Sequence, residues 1–266
     1  MASAVPGEVS VELLSGGRPV ASRRSLVRHY AASTIKLAVL AAVLAEVAAG
    51  RMNFSDQIGI TDTFESRVGS QFTLRQLDDQ DDATWLCRGG SLPVDTLVER
   101  MVTDSSNIAT NVIVQELTFS PVHEMLAVAC PGEVTMNRLI GDERAEAKGL
   151  TNTVTARGLG RFLWALANGT LLPTNATQHA LELLARQKHR QMIPAGIPPG
   201  TWSAGKGGWT TAVNHDVALV RPDKAPAYVL SVCATTGLPD AEANDLVAQL
   251  SAVTWEHWSQ WHKSSE

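Results

Sequence analysis

The chain has 266 residues, 44% of them hydrophobic and 18% charged, with a net charge of -5. That is enough apolar material, over enough length, for a sizeable core. It excludes a nucleic-acid footprint, which would need a clustered basic face. The richest basic stretch, Arg186 to Arg190, is short and reads as a solvated helix face.

The three cysteines, Cys87, Cys130 and Cys233, show no CxxC spacing. The odd count argues against a zinc site or a disulfide framework and leaves a single Cys87–Cys130 bridge open. Met1 to Gly7 has neither a charged nor an apolar signal region. As written the chain reads as cytoplasmic, or as secreted if an export signal has been removed. The long apolar stretch from Ile35 to Ala49 is too short to span a bilayer and contains Lys36 and Glu46, so no membrane partner is expected.

Taken in chain order, Glu8 to Leu14 alternates in polarity, and Pro19 to Val27 does so less cleanly. The Gly16-Gly17 pair between them predicts a hairpin. Ala31 to Gly50 reads as one helix, with Ser33 or Thr34 as N-cap and Gly50 at the C′ position. Asp78 to Asp82 lacks the glycine and terminal glutamate of a calcium loop and reads as a solvated acidic loop. Val94 to Val102 and Val112 to Leu117 are helical, broken around Asp104-Ser105-Ser106-Asn107. Alternation returns at Ala204. Thr210 to Val220 reads as one strand and Tyr228 to Ala234 as another, with a Pro-rich turn between. Pro239-Asp240 opens a final amphipathic helix, and the tryptophans at 255, 258 and 261 could cover the sheet or face a partner.

Strands at both ends therefore bracket a helical middle. The expected fold class is α+β: one antiparallel sheet from the two chain ends, with the last helix on its face and a helical lobe inserted. The whole chain is read as one unit, with a sheet lobe of residues 1–30 and 201–266 and a helical lobe of 31–200. A cleft is expected where the lobes meet.

Three local signals carry chemistry. The first is Lys36 in a helix that is apolar almost all round. A buried ammonium must be paired or lose its proton. Ser33 lies three residues before it, on the same helical face. A serine hydroxyl needs a base within hydrogen-bond reach to become a nucleophile, and a desolvated lysine can serve. The bland reading is a capping serine and a lysine that reaches the surface. The second signal is Ser105 and Asn107, two apart at a break between helices, where Ser105 could also simply be an N-cap. The third is Lys206, read as the start of a strand and followed by Gly207 and Gly208, which let another group approach the backbone closely. Gly200 to Gly207 falls one residue short of a P-loop and lacks the required Ser or Thr after the lysine. His215 and Asp216 are adjacent in a strand, so they point to opposite faces and cannot form a Ser-His-Asp relay.

In this order the three motifs resemble the serine β-lactamase and penicillin-binding protein superfamily, and most closely class A β-lactamases. The resemblance extends through Val9 to Leu14, Met101 to Leu117, Thr153 to Asn168 and Tyr228 to Gly237, nearly the whole chain. It implies a β-lactamase/transpeptidase-like fold and a serine hydrolase acting through an acyl-enzyme on a β-lactam or related cyclic amide. The alternative is an esterase, peptidase or biosynthetic acyltransferase of the same fold, and a non-catalytic binder is a third reading. By resemblance Ser33 is the nucleophile and Lys36 moves its proton. Ser105 relays a proton to the leaving nitrogen and Asn107 holds the substrate amide. Lys206 supplies positive charge, and Gly208 and Trp209 line the substrate. The N–H groups of Ser33 and Trp209 form the oxyanion hole.

The departures are specific. Ser106 stands where the family's SDN motif has Asp. Gly207 stands where a hydroxyl helps bind the β-lactam carboxylate. No arginine is found on the neighbouring strand, where Tyr228 and Val229 stand near its position. The loop from Asn137 to Glu146 aligns with the one that carries the deacylating glutamate but is shorter. Glu143 is the first choice there and Glu146 the second, and either could be a solvated loop carboxylate. A small-molecule acyl substrate is the only partner implied. The chemistry needs no metal and no cofactor, and the oligomeric state is left open.

Overall fold

The structure is a computed structural model that describes residues 7–263. Met1 to Pro6, read above for an export signal, and the side chain of Trp261 lie outside the described residues. The chain opens with β1 (Gly7–Ser15) and β2 (Arg18–Arg23), then β3 (His29–Tyr30), a 3-10 turn over Ala32–Ile35, and α1 (Lys36–Ala48). Short strands β4 (Gln57–Gly59), β5 (Thr63–Glu65) and β6 (Gln71–Thr73) follow, then α2 (Asp82–Trp85) and β7 (Ser91–Pro93). Next come α3 (Val94–Thr103), α4 (Asn107–Leu117), α5 (Ser120–Ala129), α6 (Glu143–Ala147), β8 (Thr153–Val154), α7 (Ala156–Ala167) and α8 (Thr174–Ala185). The chain closes with β9 (Trp202–Thr210), β10 (Val213–Arg221), β11 (Tyr228–Thr236) and α9 (Asp240–Lys263).

The main sheet has five antiparallel strands in the order β2-β1-β11-β10-β9. Pairing of β1 with β11 joins the two ends of the chain, with Val9 opposite Ala234 and Leu13 opposite Leu230. The expected sheet is therefore present, but both of its faces are covered. α9 packs on β10 and β11, and α7 packs on β1, β10 and β11. The region read as one strand from Thr210 is a hairpin of β9 and β10, with its turn at Thr211-Ala212. Lys206 consequently sits in the middle of β9, not at a strand start. Among the described residues no helix is long and apolar enough to cross a membrane. All three cysteines are free, so the Cys87–Cys130 bridge does not form.

α1 is the hub of the helical part and packs against α3, α4, α5, α7 and α8. Its residues Lys36 to Leu44 are all buried, as an apolar helix in a core should be. The predicted capping differs. Ser33 and Thr34 lie inside the 3-10 turn that leads into α1, and neither is an N-cap. The Thr34 hydroxyl donates back to Ala31 O at 2.6 Å, while that of Ser33 is turned toward Lys36. Gly50, at φ +70°, ends the helix as expected.

The sequence's acidic loop is also not merely solvated. Asp79 accepts the N–H groups of Asn107 and Ile108 at 2.8 and 2.9 Å, and Trp85 Nε1 at 3.0 Å. It caps the first turn of α4 together with Ser106, whose hydroxyl accepts the Ala109 N–H at 3.2 Å. Asp81 is buried as the N-cap of α2. These are helix-capping carboxylates, and among the described residues no group of acidic, His or Cys side chains is arranged to hold a metal ion.

β9 is the open edge of the sheet and lies directly on the 3-10 turn. A Cβ on Gly208 would fall 2.6 Å from the Ser33 nitrogen and 2.7 Å from that of Thr34. Both obstacles are backbone, so only glycine allows this approach. Gly208→Ala is expected to lower stability by about 1–3 kcal/mol, as overpacking does, in chemical denaturation. Asp79→Ala leaves two α4 donors without their acceptor. It is expected to cost about 1–2 kcal/mol, with no change in the wild-type midpoint on adding calcium.

Candidate active site

The 3-10 turn, the α3–α4 junction and the middle of β9 bring Ser33, Lys36, Ser105, Asn107 and Lys206 together. Lys36 and Lys206 are fully buried. Lys36 Nζ lies 3.0 Å from Ser33 Oγ, 2.5 Å from Ser105 O, 3.3 Å from Ser105 Oγ and 2.8 Å from Asn107 Oδ1. Lys206 Nζ donates to Ser105 Oγ at 3.0 Å, to its neighbour Gly207 O at 2.9 Å and to Gln187 Oε1 at 3.4 Å. Among the described residues neither lysine forms a salt bridge. Burial pushes the pKa of Lys36 well below its ordinary value, and the charge of Lys206 pushes it further, against a weaker pull from Asp79. Burial brings Lys206 down to about 7, with Asp216 opposing.

Ser105 sits between the two ammonium groups. A hydroxyl has two acceptor sites and one proton. With both lysines donating to its oxygen, the proton of Ser105 is left to point elsewhere. Its backbone is in the left-handed region at φ +60°, and Ala32, next to Ser33, is at φ +45°. Such conformations cost a non-glycine residue roughly 1–3 kcal/mol and cluster where a site needs them. Both hydroxyls lie within hydrogen-bond distance of Lys36 Nζ. The Asn107 amide is held at both ends. Its oxygen faces Lys36, and its nitrogen donates to Asp78 O at 2.8 Å.

Gln187, Asp79 and His189 belong to the same surroundings and were not singled out from sequence. Gln187 is buried and also accepts the Gly207 N–H at 3.0 Å. His189 packs against Trp209 with ring centroids 4.6 Å apart and stands 3.3 Å from Asp104 O. Arg186 to Arg190 is not a helix face, although Arg186, Lys188 and Arg190 are exposed as expected of a solvated stretch. α8 ends at Ala185, and the segment turns in to support β9. A glutamine inside a basic run carries no local signal of that role.

Glu143 and Glu146 do not join the cluster. Asp142 is the buried carboxylate of that loop. It caps α6 and accepts Ser66 Oγ at 2.9 Å and the Arg67 N–H at 3.1 Å. Glu143 is left exposed on α6, with no hydrogen bond to Ser33, Lys36 or Ser105 among the described residues. Glu146 pairs with Arg138 at 2.9 Å. His215 and Asp216 do point apart, to Tyr30 O at 2.9 Å and the Ile193 N–H at 3.0 Å.

This geometry can be set against known proteins. β-Lactamases of Streptomyces lavendulae and Streptomyces fradiae are each 28% identical to the chain, over 61% and 62% of it. The chain spans about half of their own length, 55% and 56%. The structure of PBP-A superposes with a TM-score of 0.82 at 20% identity, covering 97% of this chain and 93% of that one. A β-lactamase from Sphaerobacter thermophilus superposes with a TM-score of 0.83 at 20% identity, covering 97% and 94%. A PBP-A variant solved as an acyl-enzyme complex with penicillin G gives 0.81 at 20% identity, covering 97% and 93%. The model of the β-lactamase enzyme family matches residues 2–258. With its sheet order, its inserted helices and that match, the chain has the β-lactamase/transpeptidase-like fold and belongs to the β-lactamase enzyme family.

Proposed function

We propose that the protein is a serine hydrolase of the class A β-lactamase type that opens a β-lactam or related cyclic amide through an acyl-enzyme on Ser33. The observation that carries the reading is one continuous polar chain. It runs from Ser33 Oγ to Lys36 Nζ, Ser105 Oγ and Lys206 Nζ, with steps of 3.0, 3.3 and 3.0 Å.

Lys36 with its lowered pKa is the base. It takes the Ser33 proton as Oγ attacks the carbonyl carbon. The oxygen that gains charge is held by the N–H groups of Ser33 and Trp209, on either side of the close approach at Gly208. The ring C–N bond breaks, and the leaving nitrogen takes the proton of Ser105. Lys36 passes its extra proton to Ser105 and is neutral again. It is then the base nearest to Ser33 for the water that hydrolyses the ester. Asn107 orients the substrate amide, and Lys206 holds Ser105 and adds positive charge beside the developing anion. Glu143 has no step in this sequence.

Intact-protein mass spectrometry after incubation with penicillin G tests the reading. The expected result is a covalent adduct that decays with time and is absent in Ser33→Ala. An adduct that persists in Ser33→Ala, or no adduct from penicillin G or an activated ester, overturns it. The pH profile follows from the lysines. Lys206 is charged below about pH 7 and neutral above it. Acylation is expected to rise as Lys36 loses its proton and to fall as pH passes about 7 and Lys206 loses its charge. In Lys206→Arg the guanidinium stays charged, so the falling limb is expected to move up by more than about one pH unit in stopped-flow acylation.

A further inference from the structure

A β-lactam carboxylate meets neither a hydroxyl nor an arginine at the edge of β9. Gly207 has no side chain. The strand beside it is β10, so Tyr228 and Val229, which lie on β11, are not the neighbours of this edge. β10 places Asp216 opposite Gly207, and its one arginine, Arg221, lies at the far end over the Trp202 ring. The group that stands at the rim instead is His189. Past the end of α8, Arg186, Lys188 and Arg190 are exposed, while Gln187 and His189 turn in. Gln187 reaches Lys206 and the Gly207 N–H. The half-buried His189 ring lies on the Trp209 ring, 4.6 Å between centroids, and its Nε2 is 3.3 Å from Asp104 O, next to Ser105. A carbonyl acceptor there puts the ring proton on Nε2. Among the described residues Nδ1 has no hydrogen-bond partner and is not enclosed.

The charges around this ring are mostly positive. Burial lowers the pKa of His189 from its ordinary 6.5, and Lys206 and Lys36 push it down further, against Asp104. The Asp104 carboxylate is itself paired with Lys188, and Arg190 donates to Ser203 Oγ and Ala185 O. An open ring nitrogen in a positive field favours an anion. Resting on the function proposed above, we infer that His189 is a specificity-determining residue: it takes the carboxylate of an anionic acyl substrate through Nδ1, gaining a proton from solvent as it does. A protonated imidazole donates at both nitrogens, so it keeps Asp104 O and gives Nδ1–H to the carboxylate. The two lysines hold the free ring neutral, and the arriving anion reverses that balance. The contact is therefore fully present at acidic pH and weakens as pH rises through the lowered pKa of the ring.

The test compares acylation of Ser33 by penicillin G and by its methyl ester, which carries no anion, followed by intact-protein mass spectrometry. His189→Phe keeps a ring against Trp209 and removes both nitrogens. At about pH 6 it is expected to lower the ratio of the penicillin G rate to the ester rate about ten-fold, because a charge-assisted hydrogen bond is lost. The ester rate is expected to change less than about two-fold, since the ester makes no such bond. Both rates falling together means that His189 only positions Asp104 and Trp209, and overturns the inference. So does a ratio that the substitution leaves unchanged. If the variant does not fold, the wild type decides. Its ratio is expected to fall as pH rises from about 5 to about 6.5, below the step that Lys206 adds, and a flat ratio over that range overturns the inference. Each of these failures leaves Ser33 as nucleophile. No Ser33 adduct from either compound in the wild type overturns the proposed function and the inference with it.

Discussion

Two buried ammonium groups converge on one hydroxyl, and most of the architecture around the cleft serves to make that tolerable. Lys36 and Lys206 both reach Ser105 Oγ, and neither has a carboxylate partner among the described residues. An unpaired buried charge costs several kcal/mol. The structure offsets part of this with neutral acceptors: Ser105 O and Asn107 Oδ1 for Lys36, Gln187 Oε1 and Gly207 O for Lys206. The remainder appears as lowered pKa values. A lysine that gives up its proton more readily can act as a base, and the same burial that is a cost to folding makes it one.

The surrounding elements hold this arrangement from three sides. The apolar α1, packed among five helices, fixes Lys36 and carries Ser33 on its leading turn. Asp79 and Ser106 cap α4 and so fix the turn at Ser105, which stands in a left-handed conformation. The sheet edge supplies Lys206, and Gly208 lets that edge rest on the backbone of Ser33. The sheet owes its position to the pairing of β1 with β11, which ties the chain ends together and stacks β10 and β9 beyond them.

Asp216 is buried one strand back from the same edge. Lys206 and Asp216 sit next to each other in the register without a hydrogen bond between them, and each moves the other's pKa toward its charged form. One face of β9 carries Lys206 toward Ser105, and the other lies against Met192 and Asp216.

How much of this was legible in the sequence depends on range. The Ser33–Lys36 pair was readable because a separation of three on a helix puts two side chains on one face, and because a lysine in an apolar helix is conspicuous. The hairpin of β1 and β2, the closing helix and the bracketing of helices by strands followed from periodicity and turn residues. The split between β9 and β10 did not, since Thr210-Thr211-Ala212 holds no Gly, Pro or Asn to mark a turn. Glu143 could be nominated from its loop, but whether it faces the cleft was settled by Asp142 turning inward. The Asp79 cap on α4, the support from Gln187 and the place of Asp216 opposite Gly207 are contacts between residues 9 to 29 positions apart in the chain. The sequence by itself determined which residues are candidates for the site, Ser33, Lys36, Ser105, Asn107 and Lys206, because each is local to one turn or strand. Only the tertiary structure decided what faces them, because strand register and loop packing depend on the whole chain at once.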